Sequence, residues 1–561
     1  MRNFIVVLIL GIMVTGCQNK TTDKSTDKSV EKEVEVPFRW DAATIYFMLV
    51  DRFDNGDTSN DLNYGRNLET GVLRGFEGGD IKGVTQKVES GYFTDLGVNA
   101  IWMTPIVEQI HGGTDEGTGL SYGFHGYWTK DWTNLDPDFG TKEDLKQLVE
   151  VAHKKGIRIV LDAVINHRGP VTEKDPVWPD DWVRTGPACD YQDFDSTVSC
   201  TLVENLPDIR TESDNAVELP PQLIAKWKAE GRYEKEVAEL DAFFESTGYP
   251  RAPRFYIMKW LADYITEFGI DGYRVDTVKH TEPYVWQEFR KVVDTAFAQF
   301  KMENPDKVLD DNGFYLVGEV YNYAISHKKA FDFGDRKVNY FDKAFNQLIN
   351  FEFKWNVQQM DYESMFTKYD SILNNDLKGY SVLNYLSSHD DGQPFDPMRI
   401  KPFETATKLL LTQGAAQIYY GDESARILHA EGAVGDANLR TFMNWDDINS
   451  NPKTQAVLAH WQLLGQFRAH HPAVGAGRHH MISEAPYVFS RMYKKDDFED
   501  RVVIGLNLEK GKKIIPVGGV FPERLNIHDA YSNTDVTVEN GNVILNNEYD
   551  IVLLEAKKAS K

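Results

Sequence analysis

The sequence predicts a (β/α)8 barrel, interrupted by an inserted lobe after its third strand and followed by a C-terminal antiparallel β-domain. Three observations predict it. From residue 44 onward, short apolar runs of strand length alternate with longer segments of helical period. Polar and acidic residues end several of those runs, where the loops of a barrel carry its chemistry. Beyond His471-Pro472 the helical period stops and only β-like runs remain. A chain of 561 residues also exceeds what one hydrophobic core supports, so several domains are expected.

Residues 1–16 read as a signal peptide. Met1-Arg2-Asn3 gives a positive start, and the apolar run 4–14 is shorter than the roughly 20 residues a spanning helix needs. Val14-Thr15-Gly16-Cys17 resembles a bacterial lipobox, which implies that Cys17 becomes the lipidated first residue of an exported, membrane-anchored chain. A secretory signal with an incidental cysteine is the alternative. Residues 17–38, rich in Lys, Thr, Ser, Asp and Glu without apolar period, read as a flexible tether.

The barrel is expected over 39–167 and 251–472. Its strands are read at 44–50, 98–103, 157–162, 272–275, 314–318, 345–350, 381–387 and 417–420. A helix opens at Thr141, where Asp144 completes a capping box. Leu145, Leu148, Val149 and Ala152 form its buried face, and Gly156 stops it. Further helices are read at 255–268, 283–300 and 403–411. The stretch 168–250 is far longer than an ordinary βα connection and reads as the inserted lobe. The terminal β-domain, 473–561, has runs at 487–489, 502–506, 543–545 and 551–554.

Composition excludes some classes. The 86 acidic against 61 basic residues give a formal charge of -25, a field that repels nucleic acid. An apolar content of 42% excludes wholesale disorder. Three cysteines are too few for a disulfide scaffold, but export permits a bridge. Cys189 and Cys200 are close in the chain, and a bridge closing so short a loop is worth roughly 3 kcal/mol. Two free buried thiols are the alternative.

The chemistry gathers at four strand ends: Asp162-Ala163-Val164-Ile165-Asn166-His167, Gly272-Tyr273-Arg274-Val275-Asp276, Leu316-Val317-Gly318-Glu319 and Ser387-Ser388-His389-Asp390. In a strand, residues i and i+2 face the same way, so Arg274 lies beside Asp276 and favours its ionised form. Glu319 on the next strand is then a candidate proton donor. One ionised and one protonated carboxyl across a glycosidic bond are the apparatus of glycoside hydrolysis. The histidines at 470, 471, 479 and 480 look like a metal cluster on paper, but they straddle the junction with the β-domain and read as structural.

These segments resemble the signature regions of the α-amylase family, glycoside hydrolase family 13. So do Gly97-Val98-Asn99-Ala100-Ile101-Trp102-Met103-Thr104-Pro105, Leu206-Pro207-Asp208-Ile209 and Ile418-Tyr419-Tyr420-Gly421-Asp422-Glu423. The resemblance implies a retaining mechanism with Asp276 as nucleophile, Glu319 as general acid/base and Asp390 gripping the distorted sugar. It places Arg274, His167, His389 and His125 around that sugar, Tyr127 stacked beneath it, and Lys279 and His280 on the leaving-group side.

The same resemblance implies calcium, a hard cation suited to oxygen ligands. One ion is expected on Asn166, Asp208 and the carbonyl of His280. A second is expected in the loop of Asn55, Asp57, Asn60 and Asp61, which returns at Gly78 (through its carbonyl) and Asp80; a turn without an ion is the alternative. Within the family, Leu206-Pro207-Asp208 and Lys279-His280 look like α-1,4-acting amylases. The expected activity is endo-hydrolysis of starch, maltodextrin or related α-glucans by a monomer. A glucanotransferase of the cyclodextrin-forming type is the alternative. A non-catalytic glycan-binding lipoprotein is a third possibility; it predicts loss of a carboxylate, whereas all three are present.

Overall fold

A computed structural model describes residues 36–115 and 117–557; the expected signal segment, Cys17 and most of the tether lie outside them. Eight parallel strands close the barrel: β1 (Thr44–Met48), β2 (Ala100–Met103), β3 (Arg158–Ala163), β4 (Gly272–Val275), β5 (Tyr315–Gly318), β6 (Gln347–Asn350), β7 (Ser381–Asn384) and β8 (Ala415–Tyr419). Their residues are buried throughout, as in strands covered on both faces. The register sets Arg274 of β4 opposite Asp162 of β3 and opposite Val317 of β5, two residues short of Glu319.

The first and seventh expected strands run furthest past their observed C-terminal ends. The first stops at Met48 because Val50–Arg52 turns, fixed by Glu77 N–H donating to Asp51 at 2.9 Å. The seventh stops at Asn384, the last residue paired with both β6 and β8, so 385–387 lie beyond the ladder.

The helices follow their punctuation. Thr141 caps α1 (Lys142–Lys154) in a full capping box with Asp144, and the four expected apolar residues are its buried ones. Proline at the first turn opens α2 (Pro253–Phe268), α3 (Pro283–Glu303) and α4 (Pro402–Leu411). That early start places the first of these, α2, two residues ahead of the expected 255.

Between β3 and α2 the chain makes the inserted lobe. Val183–Arg184 pairs antiparallel with Asp208–Ile209, and two helices, Pro221–Ala229 and Tyr233–Thr247, follow. The Cys189–Cys200 disulfide is formed. Trp260 of α2 stacks on Trp182 and meets Trp227 edge-on, at ring distances of 6.3 and 6.1 Å, so the lobe shares the barrel's core.

At the C-terminus β9 (Arg478–Glu484), β10 (Tyr487–Lys495), β11 (Phe498–Gly505), β12 (Gly511–Pro516), β13 (Asn526–Asp529), β14 (Thr534–Thr537), β15 (Asn542–Asn547) and β16 (Val552–Ala556) are antiparallel in their pairs. In the sheet β9-β10-β11-β16-β13-β14 the central strands β11 and β16 are buried on both faces over part of their length. Val502 and Ile504 join the barrel's core, while Val503 and Leu554 pack in a separate core with β12 and β15. That double burial explains the unbroken apolar runs at 502–506 and 551–554.

Candidate active site

One guanidinium holds three carboxylates. Arg274 is 1% exposed, and its Nη1 lies 2.7 Å from Asp276 Oδ1 and 3.0 Å from Asp162 Oδ1. Its Nη2 lies 2.9 Å from Glu319 Oε1. Strand alternation puts Arg274 and Asp276 on one face, and the direct opposition of Arg274 to Asp162 brings in the neighbouring strand. The Thr277 N–H donates to Glu319 Oε2 at 2.9 Å, from a residue held at a positive φ of 47°. A non-glycine residue in that conformation carries backbone strain.

Glu319, Asp162 and Asp390 differ in environment. Burial pushes Glu319 well above the usual carboxylate range, reinforced by Asp276 and Asp390 and opposed by Arg274. Burial also raises Asp162, to about 7, against the pull of Arg274. For Asp390 burial is outweighed by the His389 ring, the Arg274 guanidinium and the Ser388 hydroxyl at 3.0 Å, which hold it below its ordinary value.

Aromatic and imidazole groups wall this cluster. Tyr127 donates its hydroxyl to Asp162 Oδ2 at 2.9 Å and stacks on the His389 ring at 5.1 Å. His125 Nδ1 accepts the Tyr127 N–H at 3.0 Å, and His167 Nε2 lies 3.2 Å from the Tyr127 carbonyl. Gly126 between them has φ +91°, and a Cβ there would fall 2.2 Å from the Pro105 carbonyl oxygen, so only glycine allows this turn. Burial lowers the pKa of His125, His167 and His389, leaving neutral rings able to hydrogen-bond an uncharged ligand. Lys279 is also lowered by burial, with Glu319 opposing.

Together these groups line an open cleft of about 840 Å³ at the C-terminal mouth of the barrel. Asp276, Glu319, Asp390, His125, Tyr127, His167, Lys279, His280 and His389 all border it. Arg274 lies beneath, reaching it through the carboxylates it holds.

The family model for the alpha-amylase catalytic domain matches residues 47–462. The chain belongs to the α-amylase family. It is 35% identical over 528 residues to a periplasmic alpha-amylase of Escherichia coli (strain K12), covering 82% of this chain and 72% of that one. A cyclomaltodextrin glucanotransferase of Geobacillus stearothermophilus is 28% identical over 485 residues, covering 81% of this chain and 58% of that protein. A solved alpha-amylase from Geobacillus thermoleovorans, complexed with acarbose, shares the fold at a TM-score of 0.63 and 22% identity, with 93% and 100% of the two chains covered.

Family membership makes the chain a glycoside hydrolase of the α-amylase type, and other features of the cleft follow from its loops. Arg74, Asp436 and Arg440 are among the lining residues not singled out from sequence. Arg74 Nη2 donates to Asp436 Oδ1 at 2.7 Å, and Arg440 Nη2 holds the other Asp436 oxygen at 2.6 Å. Arg440 Nε also donates to the His389 carbonyl at 3.0 Å, tying this pair to the loop that carries Asp390. The spacing of Asp436 and Arg440, four residues apart, was the available signal, but the 3-10 helix that carries them, Gly435–Arg440, is too short to show an apolar period.

The residues expected to hold calcium were placed as follows. Asn166 donates to Asp208 Oδ1 at 3.2 Å and accepts the Thr281 hydroxyl at 3.2 Å. Burial pushes the Asp208 carboxyl up to about 8, with Arg184 only partly opposing. A buried carboxyl this poorly compensated suits a cation. The His280 ring faces the Thr197 carbonyl at 3.1 Å, which keeps its backbone near the lobe. In the N-terminal loop Asn55 donates to Asp61 Oδ1 at 2.9 Å, and Asn60 Oδ1 is buried without a hydrogen-bond partner. Gly78, at φ +95°, packs so tightly that a Cβ would sit 2.4 Å from the Asn55 amide. Asp57 is instead engaged by Ser59 and Lys82, and Asp80 caps a helix by accepting the Gly83 N–H at 2.7 Å.

Proposed function

We propose that this protein hydrolyses internal α-1,4-glucosidic bonds of starch-like glucans with retention of configuration. The observation that carries the reading is the Arg274 hub, which holds Asp276 and Glu319 side by side while burial keeps Glu319 prone to protonation. Arg274 takes Asp276 Oδ1 and leaves Oδ2 to attack the anomeric carbon. As the bond to the leaving glucan breaks, Glu319 gives its proton to the departing oxygen. Glu319, now ionised, takes a proton from water, whose oxygen attacks the same carbon and releases Asp276. Asp390 holds the sugar hydroxyls. His125, His167 and His389 bind around that sugar, Tyr127 stacks under it, and Lys279 and His280 face the leaving glucan.

Calcium belongs to the same reading. Asn166, Asp208 and the His280 carbonyl would hold one ion, and Asn55, Asn60, Asp61 and the Gly78 carbonyl a second, with Asp57 and Asp80 ordering that loop. The ion's contribution is structural, as a positive charge neutralising buried oxygens where strand, lobe and loop meet. Export is supported by the periplasmic relative, and a lipid anchor at Cys17 by the lipobox-like sequence alone. Among the described residues no helix is long and apolar enough to cross a membrane.

The test is a timed digest of maltoheptaose followed by NMR of the first-formed anomer. The α-anomer is expected; the β-anomer would overturn retention. Similarity to a cyclomaltodextrin glucanotransferase supports transfer as the second reading, and cyclic products from amylose would favour it.

A further inference from the structure

The Cys189–Cys200 bridge closes a loop that contains Tyr191 and the short helix Phe194–Ser199. That loop touches two of the residues expected to hold calcium. The Tyr191 ring meets the His280 ring edge-on at 4.7 Å, and the Thr197 carbonyl lies 3.1 Å from His280 Nδ1. His280 is thus held by both parts of the loop. The Tyr191 hydroxyl donates to the Thr201 carbonyl at 3.0 Å and to the Leu202 carbonyl. The Leu202 N–H in turn donates to the Asp208 carboxylate. Thr201 and Leu202 follow Cys200 directly, so the bridge, Tyr191 and the Asp208 contact form one short chain of connections.

The bridge closes the loop at its base, where the Thr201 N–H also donates to the Pro187 carbonyl at 2.9 Å. Cys189 borders the catalytic cleft and is half-buried, whereas Cys200 is buried. A thiol in solution therefore reaches the bridge at Cys189. The hydrolytic steps make no use of either sulfur.

We propose that the Cys189–Cys200 bridge sets the calcium affinity of the Asn166, Asp208 and His280 site, so that a dithiol reductant loosens the ion and calcium protects the bridge. The inference rests on the calcium site proposed above. A thiolate of the dithiol attacks the Cys189 sulfur, the S–S bond breaks, and Cys200 leaves as a thiolate that takes up a proton. The second thiol then attacks the mixed disulfide and releases Cys189. Two electrons pass to the protein, the dithiol's two protons end on the two cysteines, and the dithiol becomes a cyclic disulfide. With the bridge open, calcium must order the loop as it binds. Ordering about one residue of backbone costs about tenfold in affinity. Linkage is reciprocal, so bound calcium makes the bridge harder to reduce by the same factor, which for two electrons is about 30 mV.

The experiment titrates calcium into the full chain by calorimetry before and after reduction with dithiothreitol, with Cys189 and Cys200 followed by alkylation and peptide mapping. Reduction is expected to raise one calcium Kd about tenfold, reoxidation to restore it, and Cys189→Ser/Cys200→Ser to reproduce the rise. Tyr191→Phe keeps the bridge but removes the hydroxyl above Leu202, and a smaller rise is expected. In Asp208→Asn, reduction leaves the remaining calcium binding unchanged. In dithiothreitol redox buffers, saturating calcium lowers the reduction potential of the bridge by about 30 mV. A Kd and a potential that do not move, even with a lower Tm on reduction, overturn the proposal, because the bridge then supports only the fold. Loss of the native circular dichroism on reduction overturns it for the same reason. An unsubstituted protein that binds no calcium would instead overturn the calcium reading, and this inference with it.

Discussion

Arg274 Nη2 lies 2.9 Å from Glu319 Oε1, so the cation that binds Asp276 also restrains the carboxyl proposed as proton donor. Burial raises the Glu319 pKa, and Arg274 draws it back. Glu319 must be protonated to act as an acid, so activity falls at high pH as it ionises. Arg274→Gln removes the restraint, and the descending limb of the kcat/KM profile is expected to move to higher pH as the rate drops. A profile of unchanged shape would show that Arg274 does not tune this carboxyl.

Glu319→Gln keeps the shape of the side chain and its capacity to accept the Thr277 N–H, but it cannot donate a proton to the leaving oxygen. Turnover of maltoheptaose should fall by about 100- to 10,000-fold. Maltodextrin binding, measured by calorimetry, should stay close to that of the parent. Normal hydrolysis by this variant would remove Glu319 from the mechanism.

The barrel was legible because its signals are local. Strand alternation put Arg274 beside Asp276, and the Thr141 capping box with its apolar face marked a helix whose buried residues are the expected four. What was illegible depends on contacts across the chain. Arg74 reaches the cleft from a loop, and Asp436 and Arg440 from the short 3-10 helix Gly435–Arg440, where no period announces an inward side chain. Asp162 was visible in its motif, but its contacts with Tyr127 and Arg274 depend on the barrel's register. Strand β9 was missed because its residues are mostly exposed and show no apolar alternation. The histidine group near the junction divides as its partners dictate: His479 lies 2.9 Å from Glu363 and accepts from Arg491, whereas His471 faces two carboxylates.

Removing calcium should loosen the junction of barrel and lobe. The buried Asp208 carboxyl, raised to about 8, meets the Asn166 amide and the Leu202 N–H and is only partly offset by Arg184, so a bound cation would compensate it. An ion present at about a hundred times its Kd stabilises by about 2.7 kcal/mol. A chelator is expected to lower the Tm, calcium to restore it, and Asp208→Asn to weaken that response. A melting curve indifferent to chelator would count against both sites.

The join between barrel and β-domain should depend on pH through His471. It follows α5 (Pro452–His470), and its Nδ1 lies 2.8 Å from Asp500 Oδ1 on β11 while Nε2 meets Glu555 on β16. Burial opposes its charge, but the two carboxylates prevail and raise its pKa to about 9. Both ring nitrogens donate only in the protonated form, so deprotonation breaks one of the two contacts. The native pKa is raised above the ordinary 6.5, so this contribution is complete below about pH 6.5 and is lost as pH rises through about 9. Its ceiling is about 3 kcal/mol. The Tm of His471→Gln should trail that of the parent most near about pH 6 and converge with it above about pH 9. A gap constant across that range would mean that packing, and not the charge on His471, holds the two parts together.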